Sequence, residues 1–318
     1  MKKIGFLMLS LAGVMVLGGW SKDAKKPSFA AQGKEVAFAD FEKAFNEKIE
    51  NNEFLKPKKG EYVPSFKSTT KSAESETNLN KRGNKIVKQK RSAGSSKSST
   101  KYDAKRGVAE NVESGKSQSD EFDFGYKSNR KSQTSVDFKF QKASEEGKEY
   151  LAQVDLKSKT YNFMTPVDED EKYEDLFSSL AYMAYSDGYE EFAEIWTNYV
   201  TAKEEEKSNY KFYQNKNLYT IEFKKDSEGE YKYNDEVKYS FKDNRYSKVQ
   251  VDLKNAKKIK VTYYSERTRV RTYAVAYEDY LPKDVQTIKN RESIVMQLTK
   301  TNVSVKQQNL AKFAKTED

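Results

Sequence analysis

Apolar and polar positions alternate through most of residues 120–285, in short runs separated by turn residues. Val136, Phe138 and Phe140 are typical, because every second side chain of a strand lies on the same face. The connections between runs are too short for crossover helices, so neighbouring strands are predicted to pair antiparallel. The pattern predicts an antiparallel β body over this range.

Within the body, residues 168–204 change to helical spacing of apolar positions. Acidic residues 168–171 open the first predicted helix, where negative charge favours the helix dipole. Gly188 separates it from a second predicted helix. We expect a helical hairpin inserted in the β body.

A shorter amphipathic pattern lies near the N-terminus. Phe38, Phe41, Phe45 and Ile49 are three or four residues apart and share one face of a predicted helix within residues 35–55.

Taken together, the patterns predict an α+β fold. A curved antiparallel β-sheet, or half-barrel, covers the helical hairpin, and an amphipathic helix precedes it.

Two segments lack clear periodicity. Residues 64–119 are rich in Ser and Lys and poor in apolar residues, which predicts a low-complexity basic segment that is disordered or weakly stranded. Residues 286–318 show mixed periodicity and are predicted to form a loosely attached tail. Much of the net charge of +9 belongs to residues 56–116, which either form a solvated linker or bind an anionic surface.

The N-terminus carries an export pattern. Residues 1–20 begin with two lysines, continue as an apolar run and end with small residues, as a signal peptide does. The alternative is an uncut anchoring helix, although the run is shorter than a bilayer span requires. Trp20 stands where a lipoprotein signal has its lipidated cysteine, so this position cannot be lipidated. Both alternatives predict an exported, envelope-associated protein.

Composition excludes several classes of chemistry. The chain has no Cys and no His, which removes Ser-His and Cys-His nucleophile pairs and metal sites built on thiolate or imidazole. Two Ser-x-x-Lys matches, at Ser68 and Ser98, lie in the low-complexity segment without their partner motifs. The sequence predicts no enzyme, no cofactor and no metal site. A glycan hydrolase remains the last-ranked alternative, because no carboxylate pair can be selected.

Leu17-Gly18-Gly19 and the phrase Leu281-Pro282-Lys283-Asp284-Val285, with the order of elements between them, resemble the LolA/LppX-like lipoprotein carriers and their relatives in Gram-positive bacteria. That resemblance implies an incomplete barrel enclosing an apolar cavity. It also implies that six helical residues line this cavity. The alternative is that the same residues form a solid core with no room for a ligand. These residues are Leu176, Leu180, Met183, Ile195, Trp196 and Tyr199.

A second candidate site is a stripe of arginines. Arg267, Arg269 and Arg271 alternate along one strand and lie on one face of it, which is typical of an anion-binding stripe. The alternative is that this face pairs with the acidic helices.

The leading functional prediction is a non-enzymatic, exported envelope protein that binds an apolar or amphipathic, lipid-like ligand. The alternative is a surface interaction or structural protein whose basic segment attaches to anionic cell-wall polymer or lipid headgroups. No nucleic acid is expected as a partner of an exported protein.

Overall fold

The computed structural model describes residues 24–52, 64–166, 189–255 and 257–316. Within these ranges the chain forms one sheet of thirteen strands. The strands are β1 Lys34–Val36, β2 Phe66–Arg82, β3 Lys85–Asp103, β4 Val108–Asp123, β5 Tyr126–Glu145, β6 Lys148–Asp155, β7 Thr160–Pro166, β8 Tyr210–Asn215, β9 Leu218–Tyr233, β10 Glu236–Asn255, β11 Lys258–Tyr273, β12 Val285–Lys300 and β13 Ala314–Lys315.

Helices in the described ranges are few and short. They are α1 at Phe38–Ile49, α2 at residues 189–201, α3 at Glu204–Lys207 and a 3-10 turn at Leu310–Lys312. In that part of the chain, no helix is long and apolar enough to cross a bilayer.

The order of strands in the sheet is β1-β8-β9-β10-β11-β12-β2-β3-β4-β5-β6-β7-β13. The pairs are antiparallel, as predicted, except that β13 runs parallel to β7. Tight turns join many neighbours; Asn234 and Asp235, for example, both have positive φ, as a two-residue hairpin turn requires. The sheet is not closed, because β1 and β13 each have a single neighbour.

The predicted α+β class is therefore wrong. The protein is mostly β, with one mixed sheet and short helices, and a helical hairpin is not shown. The first predicted helix falls largely in residues 167–188, outside the described residues. The main reason for the error is that the segments read as unstructured supply strands to the sheet.

Residues 64–119 differ most from expectation. They contribute β2, β3 and most of β4, three strands of 16 to 19 residues each. The predicted tail differs as well, because its first half is β12, which lies in the middle of the sheet between β11 and β2.

The sheet curves around the short helices. A single apolar core contains Phe41 and Phe45 of α1, Phe192 of α2 and side chains from strands as far apart in the sheet as β6 and β8. In a flat sheet β5 and β9 lie roughly 34 Å apart, given the usual strand spacing. Arg130 of β5 and Lys225 of β9 nevertheless line the same cavity. We call the concave side the inner face.

Two chain segments cross the outer face. Residues 24–33, the N-terminal strap, donate backbone N–H groups from Ala24 to Ser75 Oγ at 3.1 Å and from Ala30 to Gln250 Oε1 at 2.8 Å. Residues 301–313, the C-terminal strap, include Gln308, whose N–H donates to Gln141 Oε1 at 2.7 Å. Gln141 and Gln250 alternate with core residues along their strands, which places both straps outside.

Candidate functional site

The concave side of the sheet holds a partly open cavity of about 1390 Å³. Its walls are inner-face residues of β2 to β5 and of β8 to β12, and α2 and α3 lie along one side. The apolar core around α1 and α2 adjoins the cavity through Ile195, which belongs to both. The cavity is therefore bounded on one side by apolar packing and elsewhere by strands that carry polar side chains.

The register of the strands builds a row of mostly cationic and polar side chains across the cavity wall. Each member is the direct cross-strand partner of the next, and all eight line the cavity. In order from β9 to β5, this basic row is Lys225, Arg245, Arg267, Asn290, Glu76, Ser92, Ser119 and Arg130.

Three arginines of the inner face, two of which line the cavity, share one carboxylate, that of Asp243 on β10, which is 1% exposed. Arg267 donates from Nε to Oδ1 at 2.8 Å and from a terminal nitrogen to Oδ2 at 2.6 Å. Arg269 donates from a terminal nitrogen to Oδ2 at 2.7 Å. Arg245 donates to the same oxygen from a terminal nitrogen at 3.0 Å and from Nε at 3.2 Å. We call these four residues the Asp243 cluster.

The arginines keep Asp243 ionised. Hydrogen bonds from Arg267 are the largest cause that lowers the pKa of this carboxyl, and those from Arg269 and Arg245 add to it, against the opposing effect of burial. Three guanidiniums around one carboxylate leave an excess of positive charge in the cluster.

An acidic group lies next to the basic row, on the side of α2. Glu292 of β12 and Glu74 of β2 are direct cross-strand partners, and Glu191 and Glu194 of α2 line the same part of the cavity. Burial, followed by repulsion from Glu292, raises the pKa of Glu191 to about 7. Burial and the neighbouring Glu74 also raise the pKa of Glu292.

Glu191 has one stabilising contact from the sheet. The hydroxyl of Tyr263 donates a hydrogen bond to its carboxylate, which opposes the upward pKa shift. The described residues contain no group of three or more acidic side chains arranged to hold a metal ion. The acidic group forms a second charged part of the cavity wall, beside the basic row.

Three of the six predicted apolar ligand residues are described, and these three belong to the core or pack against it. Trp196 has ring contacts with Phe38, Phe41, Phe45 and Phe192, at centroid distances between 5.2 and 5.7 Å. Tyr199 packs against Phe38, with ring centroids 4.5 Å apart.

Among the predicted ligand residues, Ile195 is buried in the core at the cavity wall. The remaining three, Leu176, Leu180 and Met183, lie outside the described residues, as does Trp20.

The predicted arginine stripe lies on the inner face. Arg267 and Arg269 belong to the Asp243 cluster, so among the described residues their carboxylate partner lies on the neighbouring strand β10. Arg271 lies further along β11, where it donates to Gln286 Oε1 at 3.1 Å and has its guanidinium carbon 5.0 Å from the ring centroid of Tyr239.

Sequence reasoning missed Asp243, Arg245, Glu191 and Glu292. Each is a common residue type in a chain with many charges, and no motif surrounds it. Only the strand register brings Arg245 opposite Arg267 and Asp243 opposite Arg269.

Comparisons with known proteins give little further information. No protein-family model matches the sequence, and no curated protein matches it. Two solved structures are similar to the chain in a structural search. The outer membrane protease OmpT from Escherichia coli is 7% identical, with 76% of this chain and 98% of that chain covered and a TM-score of 0.21. Pseudomonas aeruginosa OccK7 (OpdD) is 5% identical, with 74% and 99% covered and a TM-score of 0.18. At such TM-scores neither likeness carries an argument about fold or function.

Proposed function

We propose that this protein is an exported, non-catalytic binding protein that holds an amphipathic ligand in its internal cavity. The observation that carries the proposal is the cavity of about 1390 Å³, which is walled by both apolar and charged side chains. Pockets for small molecules usually measure about 300–1,000 Å³, so this volume accommodates a ligand of lipid-like size.

The two kinds of wall match the two parts of an amphipathic molecule. Ile195, Tyr210 and Phe223 offer apolar surface near the helices. The basic row and the acidic group offer charged surface beside it. An uncharged apolar ligand uses only the apolar part of the wall, whereas an amphipathic ligand also replaces the hydrogen bonds that the charged groups lose with their water.

The chain has no His or Cys, which removes Ser-His and Cys-His nucleophile pairs from the catalytic groups that the cavity could hold. Export rests on the signal pattern in residues 1–20, which lie outside the described residues. Native mass spectrometry of the protein purified from its own envelope extract is expected to show a bound small molecule.

A cavity-filling substitution tests the proposal directly. Ser265 lines the cavity, whereas Thr268 lies on the outer face of the same strand, β11. Ser265→Trp is expected to abolish the fluorescence rise of the uncharged probe N-phenyl-1-naphthylamine, and Thr268→Trp is expected to leave it intact. If the unmodified protein binds no probe and carries no small molecule, the proposal fails.

A second function is favoured by one feature of the outer face. Lys71 of β2 and Lys97 of β3 are both exposed and are direct cross-strand partners, so two like charges face solvent together. Like charges in this position repel each other, and an anionic polymer relieves the repulsion. This surface is proposed to attach the protein to anionic cell-wall polymer.

The attachment is tested with purified cell walls. Lys71→Glu combined with Lys97→Glu is expected to weaken salt-sensitive binding, while Lys232→Glu on the exposed part of β9 serves as the control. Equal binding by both variants would remove this second function.

A further inference from the structure

The Asp243 cluster indicates the chemistry of the ligand's polar group. We propose that Arg245, Arg267 and Arg269 bind a phosphate group of the cavity ligand. This inference rests on the proposed function, because it places the polar end of the ligand on the arginine side of the cavity.

The first argument is charge. Three guanidiniums surround the single carboxylate of Asp243, which leaves two positive charges in excess within the cluster. A phosphate monoester carries about 1.5 to 2 negative charges at pH 7, whereas a carboxylate carries one. The phosphate therefore matches the excess more closely.

The second argument is the register. Arg245 and Arg267 are direct cross-strand partners, and like charges in this position destabilise a sheet. Lys225, the next member of the basic row, also faces Arg245, but it forms an ion pair with Glu206 at 2.7 Å. The excess charge is therefore concentrated on the arginines, where an anion would relieve the repulsion.

The third argument is the supply of unused donors. Each guanidinium has five N–H groups, and only some of them reach Asp243. The side chains of Arg245, Arg267 and Arg269 remain 45%, 37% and 28% exposed, and those of Arg245 and Arg267 line the cavity. In the described part of the chain, Arg269 Nε is buried without a hydrogen-bond partner.

These donors suit the recognition of an oxyanion. Guanidinium groups bind phosphate through paired N–H···O bonds of defined geometry. Asp243 holds Arg267 by two such bonds, so the remaining donors of that side chain are already oriented before a ligand arrives. The alternative is that the cluster only stabilises the inner face, and the experiment separates the two.

The experiment is isothermal titration calorimetry of the full chain with three probes, inorganic phosphate, octyl phosphate and octyl glucoside. Both phosphates are expected to bind saturably, with weaker binding at high salt, and octyl glucoside more weakly than octyl phosphate. Stronger binding of octyl phosphate than of inorganic phosphate identifies a lipid-like source, and the reverse order identifies a free phosphate.

Variants assign the binding to the cluster. Arg267→Gln is expected to weaken phosphate binding at least tenfold, and Arg267→Lys is expected to retain part of it, because the charge remains without the paired geometry. Arg91→Gln is the matched control, since Arg91 is exposed on the outer face of β3. Circular dichroism verifies that each variant is folded.

The outcomes are distinct. If N-phenyl-1-naphthylamine binds but neither phosphate does, the phosphate assignment is overturned and the binding function stands. Equal phosphate affinities of Arg267→Gln and Arg91→Gln also overturn the assignment. If no probe binds to the unmodified protein, both proposals fail.

Discussion

At the scale of single residues, Asp243 is a strongly constrained charge of the inner face. It is almost fully buried and accepts hydrogen bonds from three arginines. Its folded pKa is depressed, so it contributes stability above its unfolded pKa, and that contribution is lost as pH falls through the folded value. Removal of the Asp243 carboxylate leaves three guanidiniums without the anion that they share.

Asp243→Asn is therefore expected to reduce the free energy of unfolding at pH 7 by about 3 kcal/mol, the usual scale for removing one partner of a buried ion pair. Urea denaturation measures the change. Asp226→Asn on β9, whose side chain is exposed, is expected to change stability by less than about 0.5 kcal/mol. Similar losses for both variants would contradict the role of the cluster.

Glu191 has the opposite behaviour. Its pKa of about 7 in the folded protein exceeds the ordinary value of 4.5. Between pH 4.5 and pH 7 this carboxyl is therefore protonated in the folded state and ionised in the unfolded state. The free energy of unfolding therefore falls as pH rises from about 4.5 to 7.

Glu191→Gln removes this dependence and keeps an oxygen for the hydrogen bond from Tyr263. The variant is expected to be more stable than the unmodified protein at pH 8 by about 1 kcal/mol, a value reduced for solvent screening, and the difference is expected to vanish near pH 4.5. Thermal melts at both pH values measure it, and a constant difference at the two values would contradict the prediction.

At the scale of elements, α1 is anchored by tilted and edge-on contacts between aromatic rings. Phe41 is fully buried and contacts Phe45, Trp196, Phe212 and Tyr219. This helix was read from the spacing of its phenylalanines, and those same side chains form its buried face.

Phe41→Ala is expected to destabilise the protein by about 3–5 kcal/mol, because truncating a buried phenylalanine removes contacts and leaves a cavity. Phe124 at the β4–β5 turn is 65% exposed, so Phe124→Ala is expected to cost less than about 0.5 kcal/mol. Guanidinium chloride unfolding of the two variants compares them, and equal effects would show that α1 is only loosely packed.

The strands that were missed share one physical property. β3 presents Lys90, Ser92, Ser96 and Ser98 to the inner face, and its outer face is polar as well. Apolar alternation appears only where a strand covers an apolar core, whereas these strands border a polar cavity. The sequence therefore predicted strands such as β9 to β11, which also cover the apolar core, and not β2 and β3, whose inner faces are largely polar.

β12 was missed for a related reason. Its apolar inner positions, Ile294, Met296 and Leu298, occupy one end, while Glu292 and Asn290 line the cavity at the other. One strand crosses from core to cavity, which gives the mixed periodicity of the sequence. The arginine stripe was predictable from β11 alone, but the Asp243 cluster required the pairing with β10.

At the scale of the whole molecule, the C-terminal strap fastens the outer face of β3 to β5. Gln141, which is buried, donates from Nε2 to the Gln308 carbonyl at 3.0 Å and accepts from the Gln308 N–H at 2.7 Å. Val305 is buried beside it, and its N–H donates to Asp103. The strap therefore links β3 and β5 across the intervening strand.

Gln141→Ala removes both hydrogen bonds and is expected to cost about 1–3 kcal/mol. Hydrogen–deuterium exchange is expected to accelerate in residues 303–313 and to remain unchanged in β10 and β11. Gln297→Ala on β12, an exposed position, is the control. Unchanged exchange in the strap would show that it is held by other contacts.

The neighbouring positions of β12 and β2 also determine how the molecule folds. β2 to β7 form one chain-sequential meander and β8 to β12 another, whereas β12 joins β2 across about two hundred residues of sequence. Pairing over such a separation is slow, because the closure entropy is lost before the contacts form. The second meander supplies four residues of the basic row, Lys225, Arg245, Arg267 and Asn290, and the first meander supplies the other four. During refolding, the competence to bind a ligand is thus acquired only when the two halves have docked, later than most of the secondary structure.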